Sequence, residues 1–350
     1  MGRERRRRSV RVYASIRDTQ MPLVDVPGYA RRVEALGFDG LMVPEAVNDG
    51  VLVSLLALEH TERLHVATGV VVAFARSPML LAQDAWGLQR LSKGRFELGL
   101  GSQVRRNIEQ RFGMPWSAPA ARMRDYVGAL RAIFECWQNG TELAYQSESY
   151  HLSRMQPFFD PGPLETPQIP ILLGAVGPKM TRVAGEVAER VIAHPTHSEP
   201  SYLREVTRPA LAEGARAAGR TPGAVGMVAN PITATGATAQ EIAAEREQAR
   251  RILSFTYSTP AYGASLAHHG WQEVGQRLRR CARRGDWASM HRLVTDEMLD
   301  VLVPAGSFDG IAELLLERYA GVADALILRM PSDPGQDEDF GVVVEALHKG

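Results

Sequence analysis

The chain has 350 residues, 45% hydrophobic and 23% charged, a balance that supports a sizeable globular core. Forty lysines and arginines offset forty aspartates and glutamates, and a formal net charge of zero argues against a body given over to binding nucleic acid or a membrane surface. Cys136 and Cys281 lie far apart and outside any Cys-x-x-Cys pair, which excludes a disulfide framework or zinc cage and implies a reducing, cytoplasmic setting.

Residues 1–9 hold a run of arginines and read as a solvated, disordered tail, with an RNA or anionic-surface contact as the sharper alternative. The apolar stretch that follows stops at Arg17-Asp18, too short for a secretory core, and no segment is long enough to span a bilayer. Residues 10–16 form the first strand candidate. Asp25 can cap a helix with Val26, Ala30, Val33 and Leu36 on one face, stopped at Gly37. A second strand, 41–44, ends at Glu45, and a helix covers about 51–60. The valine-rich stretch 65–74 reads as one buried strand. Ser77-Pro78 opens the next helix as cap and first-turn proline, Gly94 closes it, and residues 95–100 are a fourth strand. Further strands are legible at 169–173, 191–193, 225–235 and 325–329.

Strand and helix alternating over short connections imply parallel strands joined by right-handed crossovers. Eight strand candidates favour a single closed TIM-type (β/α)₈ barrel, of class α/β, spanning residues 10–350. Two insertions interrupt the repeat. Residues 141–167 suggest a hairpin and loop after the fourth strand, and residues 238–300 are helical and charged after the seventh. In such a barrel, segments that follow strands build the active-site face.

Three glycine positions stand out there. Gly99-Leu-Gly101-Ser102-Gln103 is either a phosphate cradle of free backbone N–H groups or an ordinary tight turn; Val104 replaces the third glycine of a dinucleotide fingerprint. Gly174-Ala175-Val176-Gly177-Pro178-Lys179 leads into a helix whose positive N-terminal end suits an anion. Gly69, inside a strand pattern, marks a bulge or close backbone approach, or else simple packing. Glu45 sits where side chains point into a barrel mouth. His194 ends the sixth strand and His197 follows three residues later, suited to a substrate or cofactor hydrogen bond or to a structural role. No His-Glu-x-x-His or Gly-x-Ser-x-Gly pattern exists, so no metal site is assigned and serine hydrolysis has no support. His268, His269 and His291 fall in the helical insertion and are expected at the surface, while His65 begins the third strand on the face opposite the site.

The chain resembles the luciferase-like family of flavin and deazaflavin oxidoreductases. The resemblance is carried by Ala35-Leu-Gly-Phe-Asp-Gly40, Thr61-Glu-Arg-Leu-His-Val-Ala-Thr-Gly-Val70, Ala75-Arg-Ser-Pro78, Leu91-Ser-Lys-Gly-Arg-Phe-Glu-Leu-Gly-Leu-Gly-Ser102, and Gly177-Pro-Lys-Met180. Gly101-Ser-Gln103, Met114-Pro-Trp116, Ser258-Thr-Pro-Ala-Tyr262 and His269-Gly-Trp271 are similar to a subfamily dependent on coenzyme F-420. The resemblance implies a ring bound in the barrel mouth, supported at a cis Gly69-Val70 peptide. It also implies a cofactor phosphate held by Gly101, Ser102, Gln103 and residues 174–179. Deazaflavin dehydrogenases with an acidic residue and histidine after the second strand differ from this chain, which has Glu45-Ala46. The expected activity is therefore hydride transfer between F-420 and an organic substrate, reducing an activated C=C or C=N bond. Glu45, His194 and His197, in that order, are the proton-handling candidates.

An FMN-dependent monooxygenase is the alternative, and a non-catalytic ligand-binding barrel the second. Trp116, Tyr150, Phe158, Phe255, Tyr257 and Tyr262 suggest an apolar lid over the pocket. The expected partner is a small-molecule substrate, with no nucleic acid and no membrane, and family members commonly form homodimers.

Overall fold

The computed structural model describes residues 10–16 and 18–350, so the arginine-rich stretch read as a tail, 1–9, lies outside the described residues. Eight parallel strands close a TIM-type (β/α)₈ barrel: β1 (Arg11–Ser15), β2 (Gly40–Val43), β3 (His65–Thr68), β4 (Phe96–Gly101), β5 (Ile171–Ala175), β6 (Arg190–Ala193), β7 (Gly226–Ala229) and β8 (Ala325–Arg329). Neighbours pair in chain order, and β8 returns to β1 with Arg11 opposite Ala325 and Ser15 opposite Arg329. Alternate residues of each strand face inward: Tyr13, Met42, Ala67, Leu172, Ile192, Val228 and Ile327 fill the barrel, with Val70 packed against them. The opposite residues meet the surrounding helices in one continuous core.

The N-terminal end of the barrel is plugged by charge. Glu97, only 2% exposed, accepts hydrogen bonds from Tyr13 Oη at 2.9 Å, Arg190 Nη1 at 2.5 Å and Arg11 Nη1 at 3.3 Å. Burial, and next the Glu97 charge, push the Tyr13 phenol well above its ordinary pKa. His65 lies at this end, with Nδ1 3.8 Å from Glu97.

Local chemistry sets the helix starts. Ser77 caps helix Pro78–Ser92, its Oγ accepting from the N–H groups of Met79 and Leu80, and Lys93 closes that helix in a left-handed conformation. Asp49 caps helix Gly50–Glu59 in the same manner. Asp25 differs from the sequence expectation: its side chain makes no capping bond, because a 3-10 turn, Leu23–Asp25, feeds directly into helix Val26–Ala35.

Two strands are shorter than their hydrophobic runs. Along 65–74, β3 ends at Thr68, the Gly69-Val70 peptide is cis, Val71–Val72 resumes pairing with β4, and a 3-10 turn follows at Ala73–Ala75. Along 225–235, Pro231 lacks the N–H a strand needs, so β7 stops at Ala229 and Ala234–Gly236 pairs with Ala305–Ser307 in a separate two-stranded sheet. That small sheet closes the base of the helical segment, which has an apolar cluster of its own around Leu253, Tyr257, Leu278, Met298 and Leu299. A hairpin, Tyr145–Gln146 with His151–Leu152, lies between β4 and β5. Among the described residues no helix is long and apolar enough to cross a membrane.

Candidate active site

The C-terminal ends of β3, β4 and β5 converge on one side chain, Val70. A Cβ on Gly101 would lie 2.4 Å from Val70 Cγ2, and one on Gly174 would lie 3.1 Å from Val70 Cγ1. A Cβ on Gly69 would overlap Met42 at 2.3 Å, and one on Gly99 would strike the Thr68 carbonyl oxygen at 1.8 Å. These four glycines therefore let the Gly69-Val70 step seat in the mouth without displacing β2, β4 or β5. Gly101 and Gly174, expected just beyond strands 95–100 and 169–173, lie within β4 and β5, as Gly99 does.

After β4, Gln103 adopts φ +56° and its Oε1 accepts from Asn107 Nδ2, so the chain turns sharply at Ser102-Gln103. After β5, Gly177 stands at the N-cap of helix Pro178–Val187 and supplies no side-chain acceptor. The first-turn N–H groups of Lys179 and Met180 are left for an anion, beside the exposed Lys179 side chain. A Cβ on Gly177 would meet nothing within 4 Å, so space alone does not demand glycine there.

Glu45 reaches the same rim from β2. Its Oε2 accepts from Val72 N–H at 2.7 Å and Arg76 Nη1 at 3.0 Å, and its Oε1 accepts from Arg76 Nη2 at 2.7 Å. Arg76 also donates to Asp49 Oδ2 at 2.6 Å. The carboxylate is engaged on both oxygens, clamping the resumed third strand to the loop after β2. Geometry thus gives Glu45 a positioning role ahead of a proton-handling one.

The two histidines after β6 are joined through Thr196. His194 Nδ1 lies 2.7 Å and His197 Nδ1 2.8 Å from Thr196 Oγ1, and Thr196 N–H points at His194 Nδ1 at 3.3 Å. The backbone donor requires a bare Nδ1 on His194. Thr196 Oγ1 then donates to His194 and accepts from His197 Nδ1–H. This assigns His194 an Nε2–H donor and His197 a bare Nε2 acceptor. Nε2 of His197 is buried with no hydrogen-bond partner among the described residues. Burial lowers the His194 pKa to about 4; burial and then the neighbouring His194 lower that of His197 to about 3. Both rings are neutral at physiological pH.

The insertion closes over this pair. Tyr262 stacks on His194 with centroids 4.2 Å apart and planes 10° from parallel, and Tyr257 Oη donates to the Thr196 carbonyl at 3.0 Å. Of the six aromatic residues read as a lid, Tyr262 takes that position. Tyr257 is core, Trp116 packs edge-on to Phe74, Tyr150 packs edge-on to Tyr126, and Phe158 and Phe255 are exposed at 90% and 64%. Thr196 and Arg76 were not singled out from sequence. The signal for Thr196 was its place between two histidines at a strand end.

His268 and His269, expected at the surface, are half-buried. They pack against Tyr202 and Trp271, and with Glu199, which caps the short helix at Pro200–Tyr202, they form a set whose ligand atoms lie within 4.8 Å of one another. Three donors already occupy the Glu199 carboxylate, the N–H groups of Ser201 and Tyr202 and the Ser201 hydroxyl. The set therefore reads as a packed junction between insertion and barrel, in which Ser201 Oγ meets His268 Nε2 at 3.1 Å and His269 Nε2 has no hydrogen-bond partner among the described residues.

Comparison with known proteins accords with this geometry. Residues 8–325 match the family described as luciferase-like monooxygenase. An uncharacterized protein of Mycobacterium tuberculosis is 44% identical over 295 residues, 84% of this chain and 86% of its own. The 5,10-methylenetetrahydromethanopterin reductase of Archaeoglobus fulgidus is 26% identical over 92% of this chain and 94% of its own. Among solved structures, the coenzyme F-420-dependent tetrahydromethanopterin reductase of Methanopyrus kandleri superposes with a TM-score of 0.79 at 19% identity, covering 97% of this chain and 98% of that one. The FMN-bound oxygenating constituent of 3,6-diketocamphane monooxygenase from Pseudomonas putida superposes at 0.69 with 15% identity over 97% of this chain and 98% of that one.

Proposed function

Since the chain belongs to the luciferase-like monooxygenase family, we propose that it is an F-420-dependent oxidoreductase that reduces an activated C=C or C=N bond of an organic substrate. The observation that carries this reading is the His194–Thr196–His197 chain after β6, in which neither Nε2 has a hydrogen-bond partner among the described residues, at the same barrel end where glycines make room for Val70. The likeness in fold to a coenzyme F-420-dependent tetrahydromethanopterin reductase supports the deazaflavin branch.

The residues present fit such a cofactor. Val70 would support its ring, and the turn at Gly101, Ser102 and Gln103 with the uncapped helix start at 174–179 would hold its phosphate. When bound, F-420 supplies the hydride-carrying carbon. The protein's part is orientation and polarisation. Neutral His194 would hydrogen-bond from Nε2–H to the substrate atom that gains electron density, with Thr196 fixing the tautomer that makes this possible, and the proton that completes the reduction would come from solvent water. Tyr262 excludes water above the imidazole. With a pKa of about 4, His194 suits hydrogen-bond donation better than delivery of a proton from an imidazolium. A cytoplasmic homodimer, with the exposed Leu52, Leu55 and Leu80 at its interface, completes the reading.

The test is anaerobic turnover with reduced F-420 and a panel of substrates carrying activated double bonds. One substrate reduced per cofactor oxidised is expected, and His194→Ala should lower kcat by about 10²–10³-fold with modest change in cofactor affinity. Obligatory oxygen consumption with FMN would assign the chain to the monooxygenase reading, for which the FMN-bound structural neighbour stands.

A further inference from the structure

Charge is spread unevenly over this neutral chain. Residues 272–293 carry six arginines against two carboxylates. Arg277, Arg280 and Arg284 recur on one face of helix Gln272–Arg284 and, with Arg292, line an open groove of about 370 Å³. None of the four forms an ion pair among the described residues, whereas Arg246 and Arg250 on the adjacent helix Ala239–Tyr257 are paired with Asp300 and Asp296. Beside this groove, Phe255 and Trp287 stand 64% and 55% exposed with ring centroids 5.9 Å apart, flanking a second groove that includes Arg251 and His291. The 3-10 turn Met290–Leu293 runs between the two grooves and contributes to both.

Neither feature helps the isolated fold. Unpaired guanidinium groups at helical spacing repel one another, and a water-exposed aromatic pair forgoes burial. Together they match one kind of surface. Arginines clustered on an amphipathic helix engage headgroup phosphates, and tryptophan with phenylalanine sits at the boundary between headgroups and acyl chains. The two rings lie against each other, tilted by 45°, rather than standing apart as separate stacking platforms, which favours lipid over a single-stranded nucleic acid. We propose that this outer face of the insertion docks on an anionic phospholipid bilayer, with the arginines on phosphates and Trp287 and Phe255 at headgroup depth. The contact is peripheral and needs no spanning segment.

The test is co-sedimentation of the full chain with vesicles of phosphatidylcholine alone and with about 30% phosphatidylglycerol. Binding is expected only to the anionic vesicles, falling tenfold or more when salt is raised from about 0.1 to about 0.5 M. Arg280→Glu with Arg284→Glu should lower binding at least tenfold while the N-terminal arginines are intact. Trp287→Ala should weaken it severalfold and remove the vesicle-induced blue shift in tryptophan emission. Circular dichroism identical to the parent keeps the substitutions interpretable, and Arg280→Gln with Arg284→Gln offers a milder pair. Equal binding to neutral vesicles, undiminished binding by both arginine pairs, or displacement from vesicles by a single-stranded RNA oligonucleotide that binds more tightly would overturn the proposal.

Discussion

At the N-terminal end of the barrel, Glu97 is buried and matched by three donors from two strands, Arg11 and Tyr13 on β1 and Arg190 on β6. At the C-terminal end, His197 is buried and His194 partly buried, and among the described residues both hydrogen-bond only through Nδ1, each to the threonine between them. A buried charge answered by its own chain holds a fold together; a buried ring with an unspent nitrogen awaits something from outside.

The largest effect of a single substitution should come from breaking the matched end. Glu97→Ala leaves Arg190 without its buried partner, and a loss of about 3–5 kcal/mol in unfolding free energy is expected by chemical denaturation. Cofactor affinity in the variant that still folds should be unchanged, since no part of the network reaches the mouth.

Such a network was only partly visible in the sequence. A glutamate inside Phe96-Glu97-Leu98 calls for a buried partner, but Arg190 lies 93 residues away and is brought opposite only by barrel closure. What could be read was what depends on local pattern: the cap at Ser77, the alternation of strands and helices, and the strand at 325–329. Misjudged boundaries fell where the backbone departs from an apolar run, at the cis peptide after Gly69 and at Pro231. At the candidate site the glycines were legible, but their shared reason was not, because Gly101 and Gly174 answer to the side chain of Val70 from another strand. Glu45 was legible by position and Arg76 was not, although both follow strand ends. The basic face of the insertion was hidden because overall neutrality averages it away.

A second effect is pH dependence. The folded-state values of about 4 for His194 and about 3 for His197 lie below the unfolded value of 6.5, so the unfolded chain binds more protons across that interval. The histidines' contribution to stability is full above pH 6.5 and is lost as pH falls toward 4 and then 3. Each contributes a slope of at most about 1.4 kcal/mol per pH unit. Urea denaturation at several pH values should show the slope, and His197→Leu should flatten its share.

Smaller still is the contrast between two glycines. Gly101→Val forces Val70 aside and should cost about 1–3 kcal/mol and weaken cofactor binding, whereas Gly177→Val, facing open space, should leave stability within about 0.5 kcal/mol. Thermal denaturation of both variants measures the difference, and equal losses would mean that the Val70 cradle is not what fixes Gly101.

The central claim is that the open end of this barrel is built for a deazaflavin. Fluorescence titration of the purified protein with F-420 and with FMN tests it most directly. The account predicts saturable F-420 binding, tighter than FMN, with the Gly101→Val variant shifted to weaker affinity. Saturable micromolar FMN binding with no measurable F-420 binding would contradict it.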